Sequence, residues 1–283
     1  MTTSSTKMQK FQLSNDPPLQ EAVEKLVSDV LDQSPDVVFL GRGGSWSAYE
    51  LQHDGEVYAV KISSGATHTP EATLRSAQHI STTRDTQAVE HLIAFDANHG
   101  IIIANRVPGK RLIELTPEEL AAIPDAHFKK ALEDIVEATK EHIKFDPKPT
   151  NFLYDAESGF GFVDIEALEL DSQFSAEYLL RIEAAISGFA CALQNVGVYG
   201  KAPRSDEEKM LAIDSIESGI KASNRLTDIA GSIPNVVPPT ALLGIYSSTG
   251  INAGMMSRTA AGYKADVNLG PRPPAPSWAQ GLD

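Results

Sequence analysis

Apolar positions recur along this chain with two different periods. Leu19, Ala22, Val23, Leu26 and Val30 fall on one stripe and predict a short amphipathic helix over residues 19–31. Val37–Leu40, Tyr49–Gln52 and Val57–Ile62 are short, rich in β-branched and aromatic residues, and read as strands. His53-Asp54-Gly55-Glu56 lies between the last two, and Asp-Gly between strands signals a hairpin. Thr69-Pro70-Glu71 opens a helix, with Thr as N-cap and Pro in the first turn; Leu74, Ala77, Gln78 and Ser81 share one face. Ile101–Ala104 is a further strand, ended by Pro108-Gly109.

Helices dominate the second half. Thr116-Pro117-Glu118-Glu119 is a capping box. Phe128, Leu132, Ile135, Val136 and Thr139 line one face of a helix from Asp125 to about His142. Ser175–Val196 is mostly apolar and reads as a buried helix; another runs from Ser205 to about Ile229. Between them, Phe152–Tyr154 and Phe160–Val163 flank the turn Asp155–Gly159 and form a hairpin. A hairpin brings its outer ends together, so Asn151 and Asp164 meet and can share one Mg²⁺, an ion that takes few protein oxygens.

Asp146-Pro147-Lys148-Pro149-Thr150-Asn151 with the later Asp164 resembles the catalytic loop and metal-binding aspartate of the protein-kinase-like superfamily. Val57-Tyr58-Ala59-Val60-Lys61 is similar to that superfamily's phosphate-holding lysine strand, and Gly41, Gly43 and Gly44 stand where its glycine-rich loop does. The chain departs from the pattern at Lys144, Phe145, Trp46 and Asp164-Ile165-Glu166. The resemblance implies an α+β, bilobal fold that binds ATP and Mg²⁺. Gly41, Gly43, Gly44 and Lys61 would hold phosphates, and backbone groups of Asn105 and Val107 the adenine edge. Asn151 and Asp164 would bind Mg²⁺, Asp146 would orient an attacking hydroxyl, and Lys148 would stabilise transferring charge.

The same resemblance calls for a glutamate to hold Lys61. Glu71 is the only acid between Lys61 and Arg84 and is the candidate; its other role is to complement the helix dipole. Glu90 is the fallback, although Val89–Ile93 reads as the start of a strand. The organisation expected is a disordered stretch 1–16, an N-lobe 17–107, a C-lobe 108–232 and a Pro/Gly/Ser-rich extension 233–283. Within the extension, Leu242–Tyr246 suits a short strand and Gly270–Ser277 a solvated polyproline tail. No A-P-E motif follows Asp164, so no phosphorylation-switched segment is expected; the compact design is also similar to the aminoglycoside- and choline-kinase branch.

Composition narrows the partners. The 283 residues carry a net charge of −14, with a pI of about 4.9, which argues against nonspecific binding to nucleic acid or an anionic membrane. No apolar run is long enough for a membrane span, and the N-terminus lacks the apolar core of a secretory signal, so a cytoplasmic location is expected. One cysteine, Cys191, precludes an intrachain disulfide, and the scattered histidines suggest no structural metal. The expected acceptor is a serine or threonine hydroxyl of a protein; the alternatives are a small-molecule kinase acting on an aminoglycoside- or choline-like alcohol, and a non-catalytic pseudokinase that binds partners.

Overall fold

The computed structural model describes residues 8–43, 45–64, 69–83, 88–167, 175–197, 199, 202–232, 259–261, 263–264 and 267. Gly44, the 242–246 strand and the proline-rich 270–277 stretch lie outside the described residues.

The chain is an α+β protein. Five strands, β1 (Phe39–Arg42), β2 (Trp46–His53), β3 (Glu56–Ser63), β4 (Leu92–Asp96) and β5 (Ile101–Asn105), form one antiparallel sheet in the order β1-β2-β3-β5-β4. The β2–β3 turn has positive φ at both Asp54 and Gly55, the geometry that matches the natural twist of a two-residue hairpin. Helix α1 (Pro17–Leu31) is capped by Asp16, whose carboxylate accepts the Leu19 N–H at 3.1 Å. It lays Leu19, Val23 and Leu26 on one face of the sheet, against Leu51, Val60 and Ile103.

Residues 8–16 are ordered, which corrects the expectation of a disordered stretch 1–16; residues 1–7 lie outside the described set. Met8 and Leu13 are buried, Gln12 bridges to Phe95, and Phe95 N–H donates to Phe11 O at 2.8 Å. The segment therefore covers the outer edge of β4, where unpaired backbone groups would otherwise face water. The polar composition of the first residues conceals these apolar anchors.

Helix α2 (Pro70–Ile80) packs on β4 and β5 through Ala77 and Ile80, with Thr69 capping its N-terminus as expected. Then follow the short strand β6 (Lys110–Arg111), helix α3 (Pro117–Ala122) with its capping box, and helix α4 (Asp125–Lys140). Strand β7 (Ile143–Lys144) precedes the hairpin of β8 (Phe152–Asp155) and β9 (Gly159–Phe162). Strand β10 (Glu166–Ala167) returns to pair with β7, and helices α5 (Ser175–Gln194) and α6 (Asp206–Ser232) complete the helical part.

The two parts have separate cores. Below the sheet, Phe128, Leu132 and Ile135 of α4 pack with Phe152, Phe160 and Phe162 of the hairpin and Ile186 and Phe189 of α5. Phe189 stacks on Phe152 with centroids 5.0 Å apart and meets Phe160 edge-on at 4.9 Å, geometries that favour aromatic pairs beyond area burial. Among the described residues, no helix is long and apolar enough to cross a membrane.

Candidate functional site

Strand alternation places Lys61. Successive side chains on a strand point to opposite faces. Tyr58, Val60 and Ile62 pack toward α1, so Ala59 and Lys61 face the other way, into a cleft of about 660 Å³ between the sheet and the helical part.

The cleft gathers residues from five distant stretches. Gly41 and Gly43 line it from the β1–β2 turn, Lys61 from β3, Asn105 and Val107 from the end of β5, and Lys148 and Asn151 from the loop after β7. Asp164, beyond β9, completes the group. Its apolar walls are Leu40, Ala59, Val107 and Leu153, a slot suited to a flat ring. Lys61, Arg106, Arg111 and Lys148 stand against Glu90, Glu114 and Asp164, so the cleft escapes the acidity of the chain as a whole.

The loop is held by its own backbone. Lys148 N–H donates to Asp146 O at 2.8 Å and Asn151 N–H to Lys148 O at 2.9 Å. Val163 N–H donates to Asn151 O at 2.9 Å, one step beyond the Phe152–Phe162 pair. The hairpin thus brings Asn151 and Asp164 to one place, as its sequence predicts. The Lys148 ammonium pairs with the Asp146 carboxylate, which pushes the lysine pKa up; a half-exposed ammonium keeps much of its hydration, so the effect is modest.

Lys61 is paired with Glu90, and Glu71 is not its partner. Lys61 Nζ lies 2.5 Å from Glu90 Oε2, and Glu90 is 2% exposed. Glu71 is exposed in the first turn of α2, where an acid suits the helix dipole. Glu90 is placed by pairing between remote segments: its N–H donates to Phe162 O at 3.1 Å, and Phe162 N–H donates to Ala88 O at 2.8 Å. Its second oxygen accepts the N–H of Asp164 at 2.8 Å and of Ile165 at 3.3 Å. One carboxylate therefore holds both the lysine side chain and the Asp164 backbone, which adopts a left-handed φ of 57°. The sequence carried a signal for this: Glu90 is a lone acid beside Val89, Leu92 and Ile93, and a buried charge needs a partner.

Asp164 titrates abnormally. Surrounding protein raises its pKa, Glu90 and Asp146 add to the rise, and Lys61 and Lys148 oppose it. The residue as a whole is open to the cleft, so water screens part of this. Asn151 is 9% exposed and its Nδ2 has no hydrogen-bond partner. The Asn151 amide oxygen and the Asp164 carboxylate, which line the same cleft, are the oxygens a divalent cation could take, while the unpaired Asn151 N–H suits an anionic oxygen such as a phosphate's. Among the described residues no cluster of three His, Cys, Asp or Glu could hold a metal without such help.

The end of the cleft at Asn105 and Val107, and the glycine turn, differ in detail from expectation. Asn105 uses its side chain internally: Oδ1 accepts the His91 N–H at 2.6 Å. The Arg106 guanidinium occupies Val107 O. Gly43 N–H is taken by Trp46 O at 2.8 Å, which makes the turn a closed hairpin. Trp46, the departure from the glycine pattern, packs against the cluster that holds Ala77, Ile80 and Ile102 and borders both the cleft and a smaller cavity of about 280 Å³ behind Lys61 and Glu90. Cleft residues missed from sequence include Arg42, Arg106, Arg111, Glu114 and Tyr199. Nothing in their local pattern marks them, since their place depends on how the two parts meet.

No protein-family model matches this chain, and no curated protein sequence matches it.

Proposed function

We propose that this chain is an ATP- and Mg²⁺-dependent phosphotransferase with a bilobal, protein-kinase-like arrangement. It moves the γ-phosphate of ATP to a hydroxyl, that of a protein serine or threonine. The observation that carries this reading is the convergence of Lys61, Glu90, Lys148, Asn151 and Asp164 on one cleft, with Asp146 outside its lining but paired to Lys148. An acidic chain has little reason to gather cations there unless the ligand is anionic.

The residues divide the work as follows. Leu40, Ala59, Val107 and Leu153 sandwich the base, and the Val107 N–H meets its edge, since the Asn105 N–H is taken by His91 O and Val107 O by Arg106. Gly41 and Gly43 let the β1–β2 turn approach the phosphates. Lys61, fixed by Glu90, holds two of the phosphates. Asn151 and Asp164 would hold Mg²⁺, which would supply positive charge to offset that of the phosphates. Asp146 accepts the proton of the acceptor hydroxyl as that oxygen bonds to the γ-phosphorus. The bond from the γ-phosphorus to the β–γ bridging oxygen breaks, and ADP leaves with the electron pair. Lys148 meets charge on the phosphoryl oxygens in the loose transition state. We assign the activity to the cytoplasm, where ATP is supplied and a lone buried cysteine such as Cys191 stays reduced.

A second reading on the same chemistry is transfer to a small alcohol. The short interval between β10 and α5 favours it, because it leaves little chain for a protein-substrate platform. The experiment is transfer from γ-labelled ATP with Mg²⁺, comparing wild type with Asp146→Ala. Label on protein that disappears in the variant, with ATP binding kept, supports a protein kinase. Turnover that rises only with small alcohols moves the acceptor to that class. Equal transfer by both proteins rules out the role given to Asp146. No transfer to any acceptor leaves a nucleotide-binding module without catalysis.

A further inference from the structure

We infer that Gly188 is a positioning residue that sets the height of the loop carrying Asp146 and Lys148. This rests on the phosphotransferase reading above.

Helix α5 passes directly beneath the loop. A Cβ built at Gly188 would stand 2.9 Å from Pro147 Cβ, 3.7 Å from Pro147 Cγ and 3.9 Å from Pro147 Cα. The first distance is closer than real Cβ atoms approach one another. Gly188 does not have positive φ, so close approach and not backbone freedom is what glycine supplies here. Pro147 is a rigid ring with a locked φ, so it cannot swing aside as a long side chain would. It stands between Asp146 and Lys148 in sequence, and any shift of Pro147 carries both with it.

The helix cannot yield in its place. Phe189, the next residue, is wedged against Phe152, Phe160 and Phe162. On its other flank α6 is equally close: a Cβ at Gly219 would fall 2.2 Å from Leu193 O. Residues 186–194 of α5 are buried throughout, and a close-packed interior transmits displacement rather than absorbing it. An added methyl at position 188 therefore lifts the loop toward the cleft. The loop's internal bonds, from Lys148 N–H to Asp146 O and from Asn151 N–H to Lys148 O, move it as a unit. Lys61, Glu90, Leu40, Ala59 and Val107 sit on other segments and stay where they are.

The expected signature is a loss of turnover without a loss of nucleotide affinity. A misplacement of about 1 Å at a reacting group costs on the order of 100-fold, so Gly188→Ala should slow turnover of γ-labelled ATP by roughly 10- to 100-fold. Affinity for ADP without Mg²⁺, read from the shift in melting temperature, should stay within about twofold, since this contact does not touch the nucleotide slot. Pro147→Gly removes the opposing Cβ. In that background Gly188→Ala should cost less than about twofold in turnover if the contact is the cause, as a double-mutant cycle reads it. It should also not lower the melting temperature, because alanine is otherwise preferred to glycine inside a helix.

Unchanged turnover in Gly188→Ala overturns the inference. So does an equal loss with and without Pro147→Gly. If Gly188→Ala alone folds poorly, the melting temperatures of the four proteins decide: an equal loss in both backgrounds rejects the contact, and rescue by Pro147→Gly upholds it. If wild type turns over no ATP, the phosphotransferase reading fails first. The catalytic part of this inference falls with it, while the melting cycle still reports the Gly188–Pro147 contact.

Discussion

Glu90 Oε1 accepts the backbone N–H of Asp164 at 2.8 Å across a sequence separation of 74 residues, while Glu90 Oε2 pairs with Lys61. The lysine and the aspartate are thereby held by the two oxygens of one buried carboxylate. Helix α2 contributes less directly: Thr83, just past its end, has its hydroxyl 2.7 Å from both Ile80 O and Glu90 O. Its single proton serves one carbonyl at a time.

Replacing Glu90 should therefore hurt, and replacing Glu71 should not. Removing one partner of a buried ion pair costs roughly 3–5 kcal/mol, so Glu90→Ala should lower unfolding free energy by about that amount in urea denaturation. Glu90→Gln keeps an acceptor for the Asp164 N–H and should fall between the two. Glu71→Ala sits on an exposed first turn and should stay within about 1 kcal/mol of wild type. Equal effects of Glu71→Ala and Glu90→Ala would falsify the assignment.

Asp164 gives a pH prediction. Its folded pKa is raised, chiefly by burial, so its contribution to stability is fully present below the unfolded value and is lost as pH rises through the folded value. At neutral pH the charged form works against the nucleotide-free fold. Asp164→Asn should raise the melting temperature near pH 7, with the gain shrinking as the medium is acidified below the ordinary carboxylate range. The same variant should weaken Mg²⁺-nucleotide binding, which isothermal calorimetry would detect. A neutral-pH melting temperature at or below wild type contradicts the proposed electrostatics.

Trp46 offers a direct reporter, because its indole borders the cleft. Its emission should change when Mg²⁺-ATP is added to the intact protein. Trp46→Phe should abolish most of that change. A response that survives in Trp46→Phe would separate the nucleotide from this wall of the cleft.

The ordered N-terminal segment predicts a stability cost. Leu13 is 3% exposed and belongs to the core shared by α1 and the sheet. Leu13→Ala should lose about 2–5 kcal/mol, the range for large-to-small core changes. Ser14, exposed beside it, should tolerate alanine within about 0.5 kcal/mol. Chemical denaturation of the two variants checks this, and indistinguishable midpoints would show that the segment does not pack.

Gly109 is constrained twice over. Its φ is +105°, and a Cβ there would lie 2.5 Å from Tyr154 C and O. Backbone atoms of a strand cannot step aside, so Gly109→Ala should cost at least the roughly 1–3 kcal/mol typical of overpacking. It should also disturb the neighbouring Val107, seen as weaker binding of adenine nucleotides than in Gly55→Ala. Gly55 has a similar φ of +82° but open space around it. If both variants lose the same stability, the close approach to Tyr154 contributes nothing.

Much of the site was legible because its geometry is local. Period-two alternation along β3 turned Lys61 away from α1, and the 155–159 turn folded β8 onto β9 so that Asn151 and Asp164 met. Helix caps at Thr69 and Thr116 could be read for the same reason: a side chain and the backbone three residues on share one turn. The partner of Lys61 could not be read this way. It depends on which remote segment lies across β3, and that was decided by bonds between residues 88–90 and Phe162. The order of residues 8–16 likewise hangs on pockets for Met8 and Leu13 that exist only once β4 and α1 are in place. Arg111, Glu114 and Tyr199 entered the cleft through packing of the sheet against the helical part. Neighbours along a chain report hydrogen bonds and faces within a few residues; the burial that pairs a charge or orders a tail is a property of surfaces that meet only in the folded protein.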